Sequence, residues 1–146
     1  MARLTLTVVD LVLAQRMCGA AREAAGDAGA LVSVAVVDAG GLLVAFERMD
    51  GAEIAGPVLA RDKAYTAVAH RAATEELRTL VGERGELTGL YAADGGRYVC
   101  FGGGLPLWSA GRVVGGIGVS GGSAAQDVAA ASAAAAVFAA EEGGPR

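Results

Sequence analysis

Lys63, Thr66, His70 and Thr74 follow one another at steps of 3, 4 and 4 residues, so a continuous helix would place them on one stripe. An amine, two hydroxyls and an imidazole on a helix otherwise built of Ala and Val could line a pocket, or could face water. A lysine partly sunk beneath Ala-rich surface suits an anionic ligand group such as a carboxylate. Thr74-Glu75-Glu76 carries a second reading, an N-cap followed by two acids in a first turn, which would break the helix there. His70 is the only histidine, and this excludes any site built on several His ligands. Asp38 and Asp50 sit in turn sequences where Asp has a backbone role, and Lys63 could pair with either across the fold. Ser120 lacks the Gly-x-Ser-x-Gly elbow, and one His would have to serve any triad.

The second chemical feature is a glycine-rich stretch from Tyr98 to Ser123. It reads as ordered, with Pro106, Leu107, Trp108 and the apolar run Val113, Val114, Ile117, Val119 between the glycines. Ala110-Gly111 is placed as a hairpin turn. Glycine within a strand marks a bulge or the close approach of another backbone or a ligand, and here it does so at Gly102-Gly103-Gly104 and at Ser120-Gly121-Gly122. A strand bare of side chains needs an opposing wall. The helix bearing Lys63, Thr66 and Thr74 offers one, so Gly103 and Gly104 are expected beside it, forming a pocket that a neighbouring subunit could complete.

The elements that must position these residues are punctuated clearly. Thr7-Val-Val-Asp10 has capping-box form, with Asp in place of Glu, and opens a helix to about Gly26. Leu31 to Val37 is a β-branched strand, Asp38 to Gly41 a turn, and Leu42 to Glu47 its hairpin partner. Met49 to Ala52 is a loop. Pro57 begins a helical pattern that runs to about Val81, and Glu83 to Gly96 is loop-like. Two or three strands follow to Val119, and Ser123-Ala-Ala-Gln126 caps an Ala-rich helix to about Ala140. Strands arriving as hairpins predict an α+β fold with an antiparallel sheet of about five strands and helices packed on it. Gly102-Gly103-Gly104 does not stand between a strand and a helix, so it is not a dinucleotide loop.

A chain of 146 residues implies one domain, here residues 1–142, with 143–146 a disordered tail. Hydrophobic content is 53%, yet only 5% of residues are aromatic, so the core is Ala and Val and buries little area per residue. Such a core gains from subunit contacts, and a dimer or larger homo-oligomer is expected. The net charge of −4 without a basic run argues against nucleic acid. No apolar run approaches the roughly 20 residues that a bilayer requires, and the N-terminal segment lacks a signal peptide's dense apolar core and cleavage site. A cytoplasmic location follows, in which Cys18 and Cys100 are buried thiols rather than a disulfide.

Five segments taken together, Val34 to Gly41, Phe46 to Ala52, Lys63 to Ala67 followed by Thr74, Gly103 to Leu107, and Gly115 to Gly122, resemble the GlcG/HbpS family, which includes the C-terminal domain of the PduO corrinoid adenosyltransferases. They occur in the family's order and spacing, over about residues 7–140. The resemblance implies a profilin- or PAS-like domain, oligomers, and binding of heme or a related tetrapyrrole as possible cofactor. On that footing the candidate ligand contacts are Lys63, Thr66, Thr74, Gly103, Gly104, Pro106, Met49 and Asp50. The resemblance places an iron contact at Thr74; His70, off the family pattern, is the strongest donor by chemistry. Tyr65, Met49 and Cys100 are weaker donors. A Lys63–propionate pair would hold the acid edge. The alternative function is a cofactor-independent enzyme acting on a small carbonyl or carboxylate intermediate. In it, glycine-strand N–H groups would stabilise negative charge and Lys63 or an Asp would move protons.

Overall fold

The structure, a computed structural model, describes residues 9–143. Helix α1 (Leu11–Asp27) begins at Asp10, whose carboxylate accepts the Leu13 N–H at 2.8 Å. Asp10 is therefore the cap itself and not the third helical residue behind Thr7, which lies outside the described residues, as do residues 144–146 of the expected tail. Strands β1 (Ser33–Asp38) and β2 (Leu43–Arg48) form the predicted hairpin. Asp38 Oδ1 closes its turn by accepting from Gly40 N at 2.8 Å and Leu42 N at 3.0 Å. Helices α2 (Gly56–His70) and α3 (Thr74–Leu80) precede strands β3 (Gly104–Ser109) and β4 (Arg112–Ser120), and α4 (Ala124–Glu142) ends the fold. Ala110 (φ 50°) and Gly111 (φ 74°) make the tight turn between β3 and β4, the primed geometry whose twist suits a hairpin.

Two expectations change. The helix from Pro57 does not run to Val81: Arg71 takes the left-handed conformation (φ 51°), and the Arg71 and Ala72 N–H groups turn back to Val68 O and Ala67 O. This is a Schellman-type close, and α3 then starts afresh behind Ala73. The sheet has four strands among the described residues, in the order β2-β1-β4-β3 and antiparallel throughout, rather than about five. The segment before Gly104 does not form a further strand: Val99 N bonds to the Thr66 hydroxyl, and at the start of β3 Gly104 N bonds to Thr74.

Helices α1 and α4 pack on each other and on one face of the sheet, while α2 covers the other. Met17, Val34, Val36, Ile117, Val119 and Phe138 fill the first interface. The second interface is made almost without side chains. Gly116 and Gly118 face α2, and a Cβ at Gly118 would lie 2.0 Å from Ala60 O and 2.7 Å from Ala64 N. Ala60, Ala64 and Ala67 are fully buried against this floor. What sits against the bare strand is thus the helix backbone itself.

The cap of α4 is reciprocal, with Ser123 Oγ accepting from Gln126 N at 3.2 Å and Gln126 Oε1 from Ser123 N at 2.9 Å. Ser123→Ala is expected to lower stability by about 1 kcal/mol, read as a shifted urea midpoint with an unchanged slope. No helix among the described residues is long and apolar enough to cross a membrane.

Candidate functional site

Lys63 is 1% exposed. It leaves the inner face of α2 and crosses the end of the sheet over Gly103, where the backbone turns with φ 127° and a Cβ would stand 2.8 Å from Nζ. The amine donates to Val119 O at 2.9 Å and to Asp127 Oδ2 at 3.1 Å. Asp127 belongs to the first turn of α4, where the helix dipole favours a carboxylate, and its Oδ1 accepts from Gly122 N at 2.9 Å. The half-exposed Phe101 ring covers the amine, its centroid 5.0 Å away. Burial pushes the Lys63 amine below its ordinary pKa, and Asp127 opposes that shift. The partner of Lys63 is therefore Asp127, not Asp38 or Asp50. A lysine is needed because only a long side chain spans from one helical layer to the other.

Thr66 and Thr74 are fully buried and tether the segment leading into β3. Thr66 Oγ1 donates to Asp62 O at 2.6 Å and accepts from Val99 N at 3.0 Å. Thr74 Oγ1 accepts from Gly104 N at 2.9 Å, and a Cβ on Gly104 would meet Lys63 O at 2.5 Å. The structure thus brings Lys63, Thr66, Thr74, Gly103 and Gly104 together, with the polar groups satisfied by one another and by backbone. The Gly104 and Gly122 N–H groups, candidates for stabilising negative charge, are likewise already bonded.

His70 lies further along α2, half-buried, its ring edge-on to Tyr98 with centroids 4.5 Å apart. Its Nε2 is buried without a partner. Tyr98 stacks on Tyr65 at 6.1 Å, and the Arg97 guanidinium lies 3.5 Å over the Tyr65 ring while its Nε bonds Asp62 Oδ1 at 3.0 Å. Tyr65 donates its hydroxyl to Asp94 at 2.6 Å, which raises its pKa. Pro106 is on edge strand β3, beside a groove shared with α4. Met49 and Asp50 follow the opposite edge strand, three strand spacings or roughly 14 Å from Gly103. Met49 Sδ accepts from Val32 N at 3.3 Å and packs toward α1, so neither residue joins the Lys63 group. Cys18 is a free, buried thiol, its pKa pushed up to about 12 by desolvation, and Cys100 is free as well.

Sequence reasoning missed Asp127 and Phe101. An acid four residues past the Ser123 cap was a legible sign for Asp127. It also missed a groove of about 240 Å³ between β2 and α2, lined by Leu43, Phe46, Pro57, Val58 and Arg61. Its walls are apolar and its one polar side chain is a guanidinium, which suits an apolar edge and one acid group of a planar ligand; it is smaller than a whole heme. Its lining holds no imidazole, thiol or thioether for the iron.

An antiparallel α+β domain whose sheet seats a helix on bare glycines, pinned by a buried lysine–aspartate pair, defines the class of protein. A family model described as haem degrading protein HbpS-like matches residues 9–136, and the chain belongs to that HbpS-like family. A 15.0 kDa protein from the dhaT-dhaS intergenic region of Citrobacter freundii is 37% identical over 122 residues, covering 84% of this chain and 86% of that one. The crystal structure of ORFY from Klebsiella pneumoniae superposes with a TM-score of 0.91 at 33% identity, covering 96% of this chain and 97% of that one. The crystal structure of a PduOC:heme complex superposes with a TM-score of 0.87 at 38% identity, covering 90% of this chain and 95% of that one.

Proposed function

We propose that this chain binds heme or a related planar tetrapyrrole, with an apolar edge of the macrocycle seated in the groove between β2 and α2. The observation that carries the reading is the groove itself. Leu43, Phe46 and Val58 stay 45%, 36% and 64% exposed around a single cation, a combination that a flat apolar acid satisfies. The likeness to a domain crystallised with heme supports it. Arg61 takes the propionate contact that Lys63, engaged with Asp127, does not offer. The cluster of Lys63, Thr66, Thr74, Gly103 and Gly104 positions α2 and so shapes the groove's helical wall. Thr74, sealed and bonded to Gly104, and His70, under Tyr98, leave the iron weakly held. A homo-oligomer belongs to the same reading, since Leu11 and Val12 are 53% and 68% exposed on α1.

Hemin titration followed in the Soret band tests this. Val58→Asp, at an exposed wall position, is expected to weaken binding at least tenfold, because it sets a carboxylate against the macrocycle. Arg61→Ala should weaken it about threefold, the worth of an exposed ion pair. His70→Ala should leave the titration nearly unchanged. A sharp low-spin band abolished by His70→Ala would show a true axial histidine and a different seat. No spectral response to hemin would overturn the reading altogether.

A further inference from the structure

A second cleft, of about 290 Å³, opens at the far end of α2 and shares no residue with the groove at β2. It is lined by Arg71, Arg112, Trp108, Val68, Val113 and Ala39. We propose that it binds a small planar carboxylic acid, its ring against Trp108 and its carboxylate between the Arg71 and Arg112 guanidiniums. The site goes beyond the tetrapyrrole reading and does not depend on it.

Three local features build it. Arg71 closes α2 in the left-handed conformation, with φ 51°, at a position where glycine is the unstrained choice. The chain keeps a large cationic side chain at the spot where it must be strained. The β3–β4 ladder slips by one residue between Leu107 and Trp108, pairing Trp108 with Val113. Bulges of this kind re-aim a side chain, and the indole stands 48% exposed on the cleft rim. The tight Ala110-Gly111 turn then brings Arg112 to the same mouth. Among the described residues neither Arg71 nor Arg112 forms an ion pair, so a bound carboxylate would have no protein carboxylate to displace.

The chemistry selects the ligand class. Guanidinium forks match a carboxylate in two-point geometry, and an indole face takes a flat conjugated body. Val68 and Val113 supply an apolar floor, and the volume lies at the small end of ligand pockets. The carbonyl end of α2 and the net charge of −4 both repel an anion. Binding therefore needs both arginines, and it weakens with salt.

Trp108 is the only tryptophan, so intrinsic fluorescence reads the cleft directly. Titration with 4-nitrobenzoate, a planar quencher, is expected to give saturable quenching that nitrobenzene, lacking the carboxylate, does not reproduce. Arg71→Gly relieves the left-handed strain and removes the guanidinium, so it should unfold no more readily than the parent yet bind at least tenfold more weakly. Arg112→Ala should do the same to binding. Displacement of the probe by hemin would name a tetrapyrrole's acid edge as the source of the carboxylate; saturation undisturbed by hemin would name a free acid. Linear, unsaturating quenching that is equal in the parent and in Arg71→Gly would overturn the proposal. Neither result bears on Val58→Asp, so failure here and failure at the β2 groove are told apart.

Discussion

Lys63→Ala is expected to cost about 3–5 kcal/mol, because it leaves the Asp127 carboxylate buried beside an empty channel without its counter-charge. Against a typical total of about 5–15 kcal/mol, that loss removes much of the population of folded protein at 37 °C. Asp127 is only 3% exposed, and a water drawn into the vacated channel would replace the hydrogen bond of the amine but not its charge. A urea melt measures the effect. The double variant Lys63→Met, Asp127→Leu, which removes both charges and keeps volume, should recover most of the lost stability. A Lys63→Ala protein with an unshifted midpoint would show that the pair is solvated in practice. Lys63→Ala would also depress hemin binding through loss of fold, so its effect on ligand must be read only where the variant is shown to be folded.

Gly118→Ala carries the other large effect. The added methyl would sit 2.0 Å from Ala60 O and 3.0 Å from Ala60 C, and both are backbone atoms of α2. Overpacking with movable side chains costs about 1–3 kcal/mol, and here no rotamer can yield, so the cost is expected at or above that range. The helix must lift from the sheet, which should lower the thermal midpoint and loosen the groove that α2 and β2 share. Gly19→Ala in α1 is the matched control. Its Cβ would meet nothing closer than Arg22 Nη2 at 3.8 Å, and the gain in helix propensity is up to about 1 kcal/mol. Equal midpoints for the two variants would show that α2 does not rest on Gly118 as the geometry implies.

Most of the fold was legible from local signals. Hairpins were marked by Asp38 to Gly41, where an Asp side chain closes the turn and Gly41 takes positive φ, and by Ala110-Gly111, since a two-residue turn with positive φ has few sequences that can make it. The Ser123–Gln126 cap declared itself because both partners lie within one helical turn. Helix α1 was read correctly but its first residue was not, because Thr7 and Asp10 are both competent caps and only the observed bond to Leu13 N distinguishes them. The long helix through Pro57 broke at Arg71, a residue with no intrinsic signal for a left-handed turn. Thr74 then proved to be neither cap nor exposed stripe: its hydroxyl turns inward to Gly104.

The site divides in the same way. Residue types and spacing along the chain determined that Lys63 and Thr66 share one helical side and that the Gly102–Gly104 run needs an opposing wall, since periodicity and the absence of Cβ atoms are local properties; Thr74 joins them from α3, after the break at Arg71. Which charge Lys63 would meet, and whether the bare strand would receive a ligand or a helix, depended on contacts between residues far apart in sequence. Asp127 lies 64 positions from Lys63, and its place behind the Ser123 cap marks it as a helix-start acid, not as that lysine's partner. It becomes the partner because α2 and α4 cover opposite faces of the sheet at the same end, leaving a gap that one lysine side chain fills. The groove at β2 and the cleft at Trp108 have the same origin: Leu43 with Val58, and Arg71 with Arg112, become neighbours only when antiparallel pairing and the seat of α2 have placed them there.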